Sequence, residues 1–291
     1  MSSFCFHNDR VVEKKHLYIS VDDLGFSRGY ALFEHCRTYF GKPFHLKEHF
    51  LRLLEGARDL LLHVPYSIEE LSDILSMLFE KNGFEESGFK IYLTLGLTKE
   101  GLTPSGKETF IIYPYPLPKY EGFYPKKGLT LKTTFLQRSL PAYKTTFYLP
   151  GMLAKRQVPE CDDILFLNGQ QHLLESSTAA FLAFRGDTLL VPEGDFLQSI
   201  TQAVLVQLAR SLFKIEERPI SYDEIPSLSE AFLSSSSKEI FPIDTIDHMR
   251  IGDVSSYRNT LKLKEAFYHY VHSQDWPLLD VFKESAQVLT S

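Results

Sequence analysis

AYKTTFYLPGMLAK, residues 142–155, holds the lysine on which the fold and the chemistry both turn, Lys144. Taken alone, Lys144 reads as a solvated surface lysine, the usual fate of that side chain. A lysine that acts as a nucleophile must reach its neutral state, which takes burial or a cationic neighbour. Two further stretches bear on which it is: HLKEHFLRLLEGA (45–57) and LLESSTAAFLAF (173–184).

Working outward, residues 16–21 (HLYISV) read as a strand, as do residues 30–40 around ALFEHCRTYF. Leu46, Phe50, Leu53, Leu54, Ala57, Leu60 and Leu61 recur at helical spacing and predict a helix over roughly 46–62. Ser67 and Glu70 spell a capping box for a second helix with an apolar face of Ile68, Leu71, Leu75, Leu78 and Phe79, which Gly83 is placed to end. Alternation at Phe89, Ile91, Leu93, Leu95 and Leu97, then FIIY at 110–113, returns to strand. The prolines between Pro114 and Pro125 read as an interdomain loop. Beyond it come a strand at Leu129, Leu131, Thr133 and Phe135, and strands at 163–168 and 180–185 about a turn near Asn168-Gly169. A helix over about 199–213 buries Ile200, Val204, Leu208 and Leu212; strands at 231–234 and 240–243 and a last helix from about Arg258 follow. Helices and strands mix in both halves without a regular βαβ series. The fold class is therefore two-domain α+β: residues 1–118, a loop at 119–128, and residues 129–291.

Composition narrows the function classes. Apolar residues make up 44% and charged residues 23%, as in globular domains, and the net charge of −6 is spread along the chain. That balance argues against nucleic acid or an anionic membrane surface as partner, and the 23 Phe and 15 Tyr are not interleaved with basic residues. Cys5, Cys36 and Cys161 form no C-x-x-C pair, which fits a reducing compartment. MSSFCFHNDRVV lacks the apolar core of a signal peptide, and no apolar run is long enough to span a bilayer. A cytoplasmic protein is expected.

The three quoted stretches, with LFEHCRTYFGKPFHL (32–46), FLQSITQAVL (196–205) and AFLSSSSKEIFPIDTID (231–247), resemble the class-IV aminotransferases in order and spacing over roughly residues 15 to 253. These are fold-type IV enzymes of pyridoxal 5′-phosphate (PLP), among them branched-chain and D-amino acid aminotransferases and aminodeoxychorismate lyases. The resemblance implies a smaller N-terminal α/β domain, a larger barrel-like C-terminal α/β domain, and a homodimer with its active site between the domains. It assigns Lys144 as the Schiff-base lysine, Glu175 as the carboxylate facing the pyridine nitrogen, and Arg52 of the H-x-x-R element (His49 to Arg52) as a phosphate ligand. Ile200, Thr201 and Ser236 complete the phosphate site. The chemistry suits those residue types: guanidinium binds phosphate bidentately, a helix N-terminus presents amides to an anion, and a carboxylate keeps the ring protonated. Glu34 is read as structural.

The substrate side is expected at Arg28, Tyr30, Phe33, Leu95, Tyr148 and Ala180, and here the sequence departs from the family. Arg28 precedes Gly29 where an aromatic residue is usual, and Tyr30 follows it. Thr94-Leu95-Gly96 stands for Thr-Arg-Gly, Phe147 and Ala180 for Asn, and Gln202 for Arg. The carboxylate-binding Arg–His pair of D-amino acid aminotransferases has no match in LTKEGLTPSG (97–106). Amino transfer is the favoured activity, on KTTFYLPGMLAK and SSSSKEIFPIDTID; the alternatives are a lyase that releases pyruvate and 4-aminobenzoate, and a non-catalytic PLP-binding homologue. His45, Glu48 and His49 also spell the zinc signature H-x-x-E-H, but His45 sits at the helix start and no acidic third ligand stands out, so no metal is expected.

Overall fold

The computed structural model describes residues 3–117, 127–252 and 257–289. The chain divides into two compact units, one of Met1–Glu121, Tyr143–Phe147 and Trp276–Ser291, the other of Gly122–Ala142 and Tyr148–Asp275. The expected 119–128 loop lies, apart from its last two residues, outside the described residues.

The first unit runs β1 (Phe4–His7), β2 (Arg10–Glu13), α1 (Leu24–Arg28), β3 (Ala31–Tyr39), β4 (Lys42–Pro43), α2 (Leu46–Asp59), α3 (Ile68–Asn82), β5 (Glu86–Thr94) and β6 (Thr109–Leu117). Its antiparallel sheet has the order β2-β1-β6-β5-β3-β4. Strand alternation sends Leu32 of β3, Phe89, Ile91 and Leu93 of β5, and Phe110 and Ile112 of β6 into one core with Phe50, Leu53 and Ala57 of α2 and Leu71, Leu75 and Leu78 of α3. The Ser67–Glu70 capping box forms, and Gly83 ends α3 in the left-handed conformation that glycine adopts without strain.

Four local expectations are corrected. Residues 16–21 make no strand: Lys14–His16 is a 3-10 turn, and Tyr18, Ile19 and Val21 are exposed, so the alternation found no sheet edge to pair with. Leu61 leaves the α2 face because the helix stops at Asp59 and Leu61 takes a positive φ, 84% exposed. Pro114 and Pro116 lie within β6 rather than in a loop, opposite Phe89 and Ser87. The even residues of β6 turn their N–H toward β1, as Phe110 does to the Asn8 side chain. Since β1 pairs no further than Ile112, the two prolines lack an N–H only where no β1 partner requires it. In the second unit the helix over 199–213 ends at Ala209, leaving Leu208 and Leu212 half-buried, because Lys214 opens a strand.

That second unit comprises β7 (Leu129–Phe135), α4 (Leu149–Gln157), β8 (Asp163–Leu167), β9 (Leu173–Ser176), β10 (Ala180–Arg185), β11 (Thr188–Pro192), α5 (Ile200–Ala209), β12 (Lys214–Arg218), β13 (Glu230–Ser235), β14 (Glu239–Ile246), β15 (Met249–Arg250) and α6 (Arg258–Ser273). The Asn168-Gly169 turn joins β8 to β9, a short strand missed between those expected. The sheet order is β12-β11-β10-β13-β14-β7-β8-β9, and β9 pairs back onto β10 at Glu175 and Ala180. Strands β10, β13, β14, β7, β8 and β9 thus close a ring, so the unit is barrel-like, with Leu131, Leu165, Leu173, Phe181, Leu233 and Ile243 in its core. The architecture is α+β, as expected. Among the described residues no helix is long and apolar enough to cross a membrane.

From Trp276 onward the chain joins the first unit. Trp276 packs edge-on against Phe44, with ring centroids 4.8 Å apart, and Lys42 Nζ lies 4.9 Å from its ring. A last helix, α7 (Lys283–Leu289), follows the buried Leu279 and Phe282.

Candidate active site

In the first unit, alternation along β3 turns Glu34 toward α2, where His49 and Arg52 stand three residues apart on one helix face. Both reach the same carboxylate. Arg52 Nε donates to Glu34 Oε1 and Nη2 to Oε2, each at 2.7 Å, and His49 Nδ1 lies 2.7 Å from Oε2. Burial alone would raise the Glu34 pKa, but the Arg52 charge, its two hydrogen bonds and the His49 bond outweigh it and hold the carboxyl well below its ordinary range. Burial pushes the His49 imidazole down, against the pull of Glu34, so it is the neutral orienting partner. The bidentate pair fixes the guanidinium plane.

Lys144 is held by its main chain. Phe33 N–H donates to the Lys144 carbonyl at 2.9 Å, Thr146 N–H to the Ala31 carbonyl at 3.2 Å, and Thr145 bridges to Leu32. Residues 143–147 therefore lie against β3 as a short edge segment, and the Lys144 amine sits 4.7 Å from the Phe33 ring centroid. Gly56 lets α2 approach this segment: a Cβ there would stand 3.1 Å from Leu32 Cδ1 and 3.6 Å from Tyr143. Phe33 in turn stacks on Tyr92, ring centroids 5.9 Å apart.

In the second unit, Glu175 of β9 is buried and lies opposite Ala180 of β10, which pairs on its other side with Ser234. Arg138 Nη1 lies 3.4 Å from Glu175 Oε1, and the Arg138 guanidinium is 5.6 Å from the Tyr148 ring centroid. Ser199 caps α5 by accepting from Gln202 N–H at 3.2 Å. Among the described residues the amides of Ile200 and Thr201 meet no acceptor and the Thr201 hydroxyl makes no hydrogen bond. Ser236 is half-buried in the turn between β13 and β14. That turn is tied down by Lys238 Nζ, 3.5 Å from the buried Asp163 Oδ2, which also accepts from Ser176 Oγ at 3.1 Å.

The structure thus brings Phe33 to Lys144, sets Arg52 in the network anchored by Glu34, and sets Ala180 beside Glu175. Other expected residues are engaged elsewhere. Arg28 Nε donates to the Gly101 carbonyl at 3.2 Å, Tyr30 hydroxyl to the Leu60 carbonyl at 2.6 Å, and Leu95 packs against the first unit's core. The zinc spelling resolves into two separate pairs: His45 Nδ1 lies 2.7 Å from Glu48 Oε1, and His49 turns to Glu34. Among the described residues no group of three or more His, Cys, Asp or Glu is placed to hold a metal. Arg138, Asp163 and Lys238 were not expected from the sequence. Each meets its partner through the barrel's strand order, which no local pattern announces.

Comparison with known proteins agrees with this architecture. The family described as amino-transferase class IV matches residues 31–246, and the chain belongs to that family, whose members are PLP-dependent enzymes. It is 27% identical over 295 residues to a "probable branched-chain-amino-acid aminotransferase" of Aquifex aeolicus, covering 93% of each chain. It is likewise 27% identical over 278 residues to the D-alanine aminotransferase of Staphylococcus epidermidis, covering 92% of this chain and 98% of that one. Among solved structures, the branched-chain aminotransferase of the archaeon Thermoproteus uzoniensis with norvaline superposes with a TM-score of 0.84 at 24% identity, over 94% and 96% of the two chains. A Legionella pneumophila protein assigned as 4-amino-4-deoxychorismate lyase does so with a TM-score of 0.79 at 24% identity, over 88% and 96%. Both share the fold-type IV architecture.

Proposed function

We propose that this protein moves an amino group between an amino acid and a 2-oxo acid, with PLP carried on Lys144. The observation that carries the reading is the double main-chain tether of Lys144 to β3, which delivers its amine to Phe33 in the unit that also holds the Glu34–His49–Arg52 network. The donor set fits the cofactor. In the second unit Ile200 and Thr201 offer two amides and a hydroxyl at the positive end of α5 and Ser236 a further hydroxyl, and in the first unit Arg52 offers an oriented guanidinium; each of these donor types suits a phosphate. Glu175 would meet the pyridine nitrogen, its carboxylate steadied by Arg138. When bound, the cofactor supplies an aldehyde and an electron-accepting ring. Lys144 Nζ would take and return the proton at the substrate Cα, and its main-chain tether to β3 would limit the positions that amine can adopt.

The same cradle would serve the lyase, which releases pyruvate, so a panel of amino acids and of aminodeoxychorismate decides between them by amino-group transfer against pyruvate release. Purified protein is expected to absorb near roughly 410–430 nm, as PLP bound to lysine does, with the band moving on addition of an amino acid. Lys144→Ala should lose band and activity together; activity surviving that change would refute the assignment, and a band that no amino acid moves would favour a non-catalytic homologue. The homodimer implied by the family and the cytoplasmic location expected from the sequence are part of the same reading. Tyr18, Val21, Phe26 and Leu102, each at least 70% exposed, are apolar surface that a second copy would cover, and sedimentation equilibrium tests it.

A further inference from the structure

Two hairpin tips of the second unit meet on one buried carboxylate. Strands β9 and β10 pair Glu175 with Ala180, and the chain between them closes through Ser176 N–H, which donates to the Ala179 carbonyl at 2.8 Å. Ala180 also pairs with Ser234, so the end of β13 and the turn that follows it lie beside that tip. Asp163 opens β8 two residues before Leu165, the partner of Ser176, and its side chain is buried. Its Oδ1 accepts from Ser177 Oγ at 2.5 Å and from Ile164 N–H at 2.9 Å. Its Oδ2 accepts from Ser176 Oγ at 3.1 Å and meets Lys238 Nζ at 3.5 Å. Ser176 Oγ in turn accepts from Ala179 N–H at 3.1 Å. One carboxylate thus holds the two residues directly after Glu175 and the lysine that follows Ser236 by two positions.

The turn around Ser236 needs such an anchor. Ser235 pairs with Glu239, which leaves Ser236, Ser237 and Lys238 as the loop. Glu239 takes a φ of +57°, the left-handed region that glycine enters without strain. On the far side, the buried Lys264 of α6 donates from Nζ to the Ile240 carbonyl at 3.4 Å and so fixes the start of β14. On the near side, Lys238 N–H donates to Ser235 Oγ at 3.2 Å, and its ammonium reaches Asp163. We propose that Asp163 and Lys238 are positioning residues for the cofactor. Their ion pair sets the Ser236 loop against the end of β9, and so places a phosphate ligand relative to the carboxylate that meets the pyridine nitrogen. The inference rests on the reading of Ser236 and Glu175 as cofactor contacts. A buried carboxylate shared by four donors favours one arrangement of the segments that supply them, and removing the lysine leaves the strained loop with one anchor fewer.

The test is the affinity of the full-length protein, freed of cofactor by dialysis, for PLP and for pyridoxal, the same ring without its phosphate. Binding is followed by the band of the lysine-bound cofactor. Lys238→Met should weaken PLP roughly three- to tenfold, the range of a partly exposed ion pair, and leave pyridoxal unchanged. Lys238→Arg should restore the PLP affinity. Asp163→Asn keeps the shape and an acceptor oxygen but removes the charge; it should weaken PLP at least as much, and adding Lys238→Met to it should cost nothing further. Lys238 is partly exposed, so its Met and Arg variants decide the matter even where Asp163→Asn is too unstable to load. Equal loss of PLP and pyridoxal in Lys238→Met would mean a general disturbance of the fold and overturns the proposal. So does a PLP affinity that Lys238→Met does not move, or a further loss in the double variant. Failure of the cofactor reading shows separately, as a wild type that gives no band with either compound.

Discussion

Glu34 shows how a residue read as structural governs one read as functional. It is buried, and its carboxylate is the counter-charge for Arg52 and the acceptor for His49. Glu34→Gln would leave the Arg52 guanidinium buried without its partner, at a cost of roughly 3–5 kcal/mol. Its thermal midpoint should fall, and its retention of PLP in equilibrium dialysis should weaken because the guanidinium loses its fixed plane. The imidazoles set a pH dependence as well. His35 and His49 both have pKa values lowered by burial, His35 to about 3, so the unfolded chain binds their protons more tightly. Stability is then full above about pH 6.5, the ordinary histidine value, and is lost as pH falls below it. Urea unfolding at pH 7.5 and at pH 5 should show that loss, and His35→Asn should reduce it. A mutant with the same pH slope as wild type would contradict the assignment.

At the scale of elements, local rules describe the helices better than the strands. The α3 cap and its glycine stop follow from neighbours in sequence, and both form. Ser67→Ala should therefore cost about 1 kcal/mol, read as a shifted urea midpoint with unchanged slope. Strand placement depends on partners far along the chain. HLYISV carries the right alternation yet forms no strand among the described residues, whereas Pro114 and Pro116 sit in β6 because its free edge begins there. Gly88 is a tertiary requirement of the same kind, set by the Tyr115 ring above it. Gly88→Ala should cost about 1–3 kcal/mol by overpacking, and Tyr115→Ala in the same chain should recover most of it. Thermal denaturation of the three variants is the measurement, and a mild Gly88→Ala that Tyr115→Ala does not improve would show that the ring is not the obstacle.

Over the whole molecule, the chain does not divide at one point. Residues 143–147 and the stretch from Trp276 onward both cluster with the first unit. The tail docks through Trp276 against Phe44 and through Leu279 N–H, which donates to Glu48 at 3.1 Å. Ending the chain at Gln274 should expose Tyr39 and Phe44, lower the thermal midpoint, and raise binding of a hydrophobic dye. A truncated chain as stable as the full one would mean the tail is incidental to the first unit.

Several features were determined by sequence alone: the mixed α+β class, the helices at 46 and 68, the barrel strands near 129, 163, 180, 231 and 240, and membership of a family through motifs in register. These rest on period, capping and order, which are local or linear properties. Lys144 is proposed in the same way, from the stretches around it. What holds Lys144 was decided only in three dimensions. Its tether to β3, the Phe33 ring beside its amine, the Glu34 carboxylate that orients Arg52, and the Arg138–Glu175 contact each join residues far apart in the chain or in different elements. Hydrogen bonds and ion pairs need particular distances and angles, and those exist only once strand register and helix packing have set the backbone.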